Sequence, residues 1–281
     1  MERRFIVRGL LVGAIGGILA FVFARIFAEP QIQAAIDYEH GRDAAQAVLD
    51  RAAGLPAEAA DHEVFSRTVQ GDVGIGAGMI LFGAAMGALY AVAYVLACGR
   101  TGHLRPRSLA LLVALGGFLG SYLIPFLKYP ADPPSIGHPE TIRDRTGLYL
   151  LMVGLSIAAL VLAVWLGQRL KPRFGNWNAT LLAGLACVVM LGIVMFALPE
   201  LGHLHANVAE YGRHPTETPL PLRNAQGQIV YPGFPADVLF SFRLYSVAAQ
   251  AILWTAMGLC FAPLAERLLT PPASAPATAT I

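Results

Sequence analysis

The stretch FIVRGLLVGAIGGILAFVFARIF, residues 5–27, decides the fold. It is apolar throughout except for Arg8 and Arg25, near its two ends. The hydrocarbon core of a bilayer is about 30 Å thick and a helix rises about 1.5 Å per residue, so roughly 20 apolar residues cross it. Arg3 and Arg4 precede the stretch, as they would in a secretory signal. A signal core is shorter, however, and no A-x-A cleavage pattern stands near Phe27. The segment therefore reads as a retained membrane span.

Five more segments have the same character, at 73–96, 109–127, 147–167, 179–198 and 238–259. Hydrocarbon offers no partner to an open backbone, so these spans are expected to be helices. A barrel would need alternating polarity in place of continuous apolar runs. The expected fold class is all-α: a polytopic membrane helix bundle of about six spans, with residues 1–269 as one integral membrane domain. Residues 270–281, rich in Pro, Ala and Thr, read as a disordered tail. Composition agrees, since 56% of the 281 residues are hydrophobic and 14% charged, against about 25% charged in soluble domains. Cys98, Cys187 and Cys260 are in or beside apolar runs without close spacing. They read as packing residues, not as disulfide or zinc ligands.

Charge gives the orientation. Arg100, Arg105 and Arg107 lie between spans two and three, and Arg169, Lys171 and Arg173 between spans four and five. The positive-inside rule places both connections in the cytoplasm, and six spans then put both termini there too. The outer loops become 28–72, 128–146 and 199–237, with nine, three and four of the eighteen acidic residues. His40, His62, His138, His203, His205 and His214 also fall in them, leaving only His103 inside.

Three G-x-x-x-G pairs, Gly13/Gly17, Gly83/Gly87 and Gly116/Gly120, predict close helix packing. Prolines and charges at Glu29-Pro30, Lys128-Tyr129-Pro130 and Pro199-Glu200 end the outward spans. Arg67, Arg145 and Arg243 begin the returning ones, which suggests three helical hairpins.

Several polar residues are candidates for handling a cation. Asp37, His40 and Asp43 would share one face of a short helix, with Glu39 beside them. Asp61-His62-Glu63 forms a second cluster. His203 and His205 would point the same way in an extended segment, and Glu200 adds an oxygen. Imidazole and carboxylate together suit divalent transition metals, though solvated loops carry the same residues. Glu29 and Asp237 mark helix ends at the outer boundary. Arg25 either pairs with Glu29 four residues on or snorkels to the interface. Arg243 and Gln250 share a face of the last span and with Arg25 are candidates for a polar network in the membrane; for Arg243 a structural salt bridge with Asp237 or Glu29 and a transport role both stay open.

No phosphate-binding loop, H-E-x-x-H, G-x-S-x-G or C-x-x-C-H motif occurs in the chain. No enzyme activity, resident cofactor or nucleic-acid binding is expected.

Four blocks are more distinctive than hydropathy: FVFARIFAEPQIQAAIDYEH at 21–40, VFSRTVQGDVGIG at 64–76, PFLKYPADPPSIGHPETIRDRTG at 125–147 and FPADVLFSFRLYSVAAQ at 234–250. Through them nearly the whole chain resembles the CbtA family of bacterial cobalt-transporter subunits. Glu29, Glu39, Arg67, Gln70, Lys128, Glu140, Arg143, Arg145, Asp237, Arg243 and Gln250 occupy these blocks. The resemblance implies an inner-membrane protein of cobalt uptake linked to cobalamin biosynthesis, with cobalt as substrate. It also implies a small single-span, histidine-bearing partner, CbtB. Family descriptions often count five spans, one fewer than hydropathy gives here. A permease or permease subunit is the expected function, and a homo-oligomer is compatible with the glycine pairs. The alternative is a non-transporting membrane scaffold that assembles with the small subunit.

Overall fold

The computed structural model describes residues 2–55, 69–102, 104–214 and 216–269. The Asp61-His62-Glu63 cluster, Arg67, His103 and the tail from 270 lie outside the described residues. The fold is all-α, with one short hairpin of strands among the described residues. The α-helices are α1 (Glu2–Phe27), α2 (Glu29–Ala52), α3 (Ile75–Ala97), α4 (Pro106–Phe118), α5 (Ile124–Lys128), α6 (Ile142–Ala197), α7 (His205–Tyr211) and α8 (Ala236–Leu269). Strands β1 (Leu222–Arg223) and β2 (Ile229–Tyr231) pair antiparallel. A π-helical turn, Val69–Gly74, leads into α3, and another, Leu119–Leu123, joins α4 to α5.

Among the described residues, five helical stretches are long and apolar enough to cross a membrane: Arg3–Phe27, Val69–Ala97, Pro106–Lys128, Pro139–His203 and Ala236–Leu269. The fourth contains both predicted spans 147–167 and 179–198. A straight α6 of 56 residues would measure about 84 Å, nearly three bilayer cores. It is not straight. Gly175 has φ 75° and ψ 171°, outside the helical region, and Pro172 precedes it within the helix. Beyond the break the chain runs back on itself. An added Cβ at Gly167 would lie 3.5 Å from the Ala183 Cβ, and 167 and 183 are equidistant from 175. Met152 and Ala159 of the first arm share a buried cluster with Cys187 and Leu191 of the second. The arms form an antiparallel hairpin, so five helical stretches make six passes.

The chain forms two compact units. Of the described residues, those in 2–21, 76–115 and 251–269 belong to one, and those in 22–75 and 116–250 to the other. In the first unit glycines set the packing. A Cβ on Gly13 would lie 2.1 Å from the Gly83 carbonyl oxygen, and one on Gly87 would lie 2.1 Å from that of Gly9. Gly17 meets Met79 in the same way, so α1 and α3 pack antiparallel with their backbones in contact. Phe5, Tyr90, Tyr94 and Phe261 stack at one end of this unit, with Tyr90–Phe261 centroids 5.0 Å apart. Each tyrosine hydroxyl finds a carbonyl, Tyr90 donating to Ala110 at 2.8 Å and Tyr94 to Pro106 at 3.3 Å. Arg107 pairs with Glu266, and Arg8 donates to the Leu264 carbonyl.

The third glycine pair behaves differently from its predicted role. A Cβ on Gly116 would meet nothing within 4 Å, and one on Gly120 would meet only the Ile157 and Leu160 side chains near 3.1 Å and the Ile157 Cα at 3.6 Å. The second unit is thus held by side-chain packing there, not by a backbone seam.

The same unit gathers the polar segments. The stretch 28–52, expected as loop with a short helix, is almost entirely the 24-residue α2. Its Ala35 and Tyr38 bury against Ile136, with Tyr231 and Phe234 packed around them. Tyr38 donates to the Pro232 carbonyl at 2.9 Å and Arg42 to that of Leu220 at 2.7 Å. Segments far apart in sequence, from the 28–72, 128–146 and 199–237 stretches, therefore share one small core, a polar head.

Candidate functional site

The site is built from the proline-rich segment that follows α5. Pro130, Pro133, Pro134 and Pro139 cannot donate backbone hydrogen bonds, which keeps the segment irregular. Tyr129, Pro133, Ile136 and Thr141 anchor it by burial. Thr141 donates through Oγ1 to the His138 carbonyl at 2.8 Å, and the His138 Nδ1 accepts from the Glu140 amide at 3.2 Å. Tyr129 donates to the Pro199 carbonyl at 2.9 Å, tying the segment to the end of α6.

Two charged pairs lie inside this framework. Asp132 is 7% exposed, and its Oδ1 receives the Arg243 Nη2 at 2.7 Å, while Arg243 Nε donates to the Ala131 carbonyl at 3.1 Å. Burial pushes the Asp132 carboxyl above its ordinary range, against the lowering influence of Arg243 and Arg145. Desolvation thus outweighs attraction at this carboxylate. The second pair is Arg145 with Glu217, whose side chain is fully buried; Nη1 and Oε2 are 3.0 Å apart without hydrogen-bond alignment. The other Glu217 oxygen accepts from the Asn207 Nδ2 at 2.5 Å, and that amide also donates to the Leu201 carbonyl. Gly137, at φ +120°, makes room for the arginine: a Cβ there would stand 2.5 Å from the Arg145 Nη1.

An open cleft of about 420 Å³ lies against these pairs, lined among others by Tyr122, Tyr129, Asp132, Arg145, Thr146 and Tyr149. Tyr122, one of its lining residues, belongs to the π-helical turn Leu119–Leu123, a deformation often found at functional sites. Pro125 deprives the Ser121 carbonyl of its α-helical donor, and the Tyr149 hydroxyl takes that place at 3.5 Å. The Tyr122 hydroxyl is buried and has no hydrogen-bond partner among the described residues. A buried polar group left in that state costs about 1–3 kcal/mol.

The residues singled out in the sequence are spread over the polar head. Asp37, His40 and Asp43 are exposed on one face of α2, as the spacing predicts, and Asp37 accepts from Gln33 at 2.8 Å. Glu29 begins that helix and Glu39 is half-buried. Glu200 and His203 approach to 3.8 Å. The histidine pair is not extended: His203 ends a 3₁₀ turn and His205 begins α7. Asp237 is exposed in the first turn of α8. Among the described residues no three His, Cys, Asp or Glu side chains group closely enough to hold a metal. Arg25 pairs with Asp72 at 2.5 Å, and Arg243 with Asp132. Gln250, half-buried, lies two turns beyond Arg243 on α8.

Asp132, Glu217, Asn207 and Tyr122 were not singled out by their spacing. Asp132 does carry a signal, an acid between prolines in the block at 125–147. Glu217 and Asn207 carry none, because their partners are brought in by tertiary folding.

Six apolar passes with a polar head define a multi-pass α-helical membrane protein. Residues 2–266 match the family described as "Probable cobalt transporter subunit (CbtA)", and the chain belongs to that family. No curated protein and no solved structure matches it.

Proposed function

We propose that this cobalt transporter subunit is the permease itself, carrying Co²⁺ inward across the bacterial inner membrane to supply cobalamin biosynthesis. The observation that carries the reading is the polar head: segments expected outside fold together, and their buried carboxylate, Asp132, borders an open cleft beside helices long enough to span. The arginines of 100–107 and 169–173 set the orientation, with both termini in the cytoplasm. The exposed acids and histidines of α2 and of 200–205 raise the local cation concentration. The small histidine-bearing partner delivers or receives the metal at the same face. Membrane potential supplies the energy, at about 2.3 kcal/mol per charge per 100 mV.

Radioactive cobalt uptake into liposomes holding the purified chain, with and without the small subunit, tests the proposal. Accumulation under an inside-negative potential is expected. A sealed preparation that takes up no cobalt in either composition removes the permease reading.

A further inference from the structure

We propose that the cleft at the start of α6 seats the headgroup of one phospholipid bearing a primary ammonium, of the phosphatidylethanolamine class. The inference stands independently of whether the chain itself carries cobalt.

One face of α6 builds the site. Ile142, Arg145, Thr146, Tyr149 and Leu150 all line the cleft and follow i, i+3, i+4, i+7, i+8 spacing. Their chemistry is graded along the helix. Arg145 and Thr146 immediately precede the apolar run 147–167, at the level where a span meets the headgroups. Leu150, about a turn further in, is 62% exposed and continues the lining onto the apolar flank of the span. Tyr122 and Phe126, stacked at 5.3 Å between centroids, add aromatic lining. Tyrosine is enriched at this depth because its ring is apolar and its tip polar. A ligand seated there meets polar groups at one end and lipid-facing surface at the other, which is the profile of a lipid.

The polar groups specify the headgroup. Arg145 supplies donors: its Nη1 stands 3.0 Å from the Glu217 Oε2 without hydrogen-bond alignment, and its guanidinium makes no hydrogen bond among the described residues. Two oxygens of a phosphodiester match the fork of a guanidinium. Tyr129, Thr146 and Tyr149 supply acceptors. Each has committed its hydroxyl proton to a backbone carbonyl, of Pro199, Ile142 and Ser121 respectively, and has only lone pairs left to offer. A primary ammonium brings three N–H donors to them, whereas a trimethylated ammonium brings none.

Charge selects in the same direction. Arg145 is balanced by Glu217 and Arg243 by Asp132, so the ionic groups at the cleft sum to zero. A metal ion would face the Arg145 guanidinium, and a free anion the Asp132 carboxylate. A zwitterion that places its phosphate at Arg145 and its ammonium at the hydroxyls meets neither penalty. The 420 Å³ of the cleft falls within the range of ligand sites, about 300–1,000 Å³, and only the headgroup has to fit.

Native mass spectrometry of the full chain in detergent, titrated with single lipids, tests the proposal. One phosphatidylethanolamine should bind about tenfold more tightly than phosphatidylcholine or phosphatidylglycerol, the scale of one hydrogen bond to a charged group. Thr146→Val with Tyr149→Phe removes two acceptors and leaves both ion pairs in place, so the preference over phosphatidylcholine should fall towards one. Arg145→Lys keeps a charge beside Glu217 but loses the fork, and should weaken phosphatidylethanolamine binding by about tenfold. Soluble phosphoethanolamine and inorganic phosphate should not displace the lipid at equal concentration, because neither reaches the apolar flank. Equal affinity of the wild type for the three lipids would overturn the site, and this outcome depends on no variant. A full preference retained in the folded double variant, or displacement by the soluble phosphates, would overturn it as well.

Discussion

Gly87→Ala is a one-carbon change with a large expected effect. The new Cβ would stand 2.1 Å from the Gly9 carbonyl oxygen and 2.7 Å from the Gly13 Cα, where ordinary contact is 3.4–4 Å. Both obstacles are backbone, so no side-chain rotation relieves them. The α1–α3 seam must open by roughly 1 Å, and a gap of that size forfeits a quarter to a half of each dispersion contact along it. Overpacking usually costs about 1–3 kcal/mol, and the clash with rigid backbone puts this case at the upper end, near ~3 kcal/mol. Gly78→Ala is the control on the same helix, because its Cβ would meet nothing within 4 Å. Alanine relieves the entropic cost of a helical glycine, so that variant should gain about 0.5–1 kcal/mol. Thermal unfolding in detergent micelles, followed by circular dichroism, reads both. The midpoint should fall for Gly87→Ala and hold or rise for Gly78→Ala. Equal midpoints for the two would refute the close seam.

The remaining predictions concern the polar head and the orientation. Arg145→Leu and Glu217→Leu alone should each cost about 3–5 kcal/mol, because each strands a charge in a buried setting. The double variant should recover much of that loss, and a strictly additive cycle of melting points would show that the pair is not coupled. Because burial holds the Asp132 carboxyl above its usual value of 3.8, the folded state keeps this proton to higher pH than the unfolded chain. Its contribution to stability is then fully present below the unfolded pKa and is lost as pH rises through the folded one. Asp132→Asn should remove that part of the pH dependence; an unchanged acid-side stability profile would count against it. A cysteine placed at Asp50 should react with an impermeant thiol reagent from outside intact cells, and one at Arg169 only after the membrane is opened. The reverse pattern would invert the topology.

Hydropathy made the spans legible, because hydrocarbon imposes one requirement on every residue of a crossing segment. It resolved six passes even where α6 runs as a single helical stretch, since the basic turn around Gly175 interrupts the apolar run. Gly13/Gly17 and Gly83/Gly87 were legible as packing sites, whereas the same spacing at Gly116/Gly120 was not diagnostic, because a motif cannot say whether a partner faces it. The ionic partners were illegible for a different reason. Local spacing offers Glu29 to Arg25 and Asp237 to Arg243, but the observed partners lie 47 and 111 residues away in sequence. Helix α2 was underread because its buried stripe is narrow, only Ala35 and Tyr38 being fully covered. Tyr122 could not be found from the chain at all: a tyrosine in an apolar span looks like packing, and that its buried hydroxyl has no partner among the described residues shows only in the fold.

The central claim is that this protein passes Co²⁺ through the membrane down its electrical gradient. The most direct measurement is the steady-state ratio of cobalt inside to outside proteoliposomes as the imposed potential is varied. A mobile divalent ion gains about 4.6 kcal/mol per 100 mV, so the ratio should rise by roughly three orders of magnitude over that interval. A ratio that stays at one whatever the potential, with the small subunit present, would contradict the account.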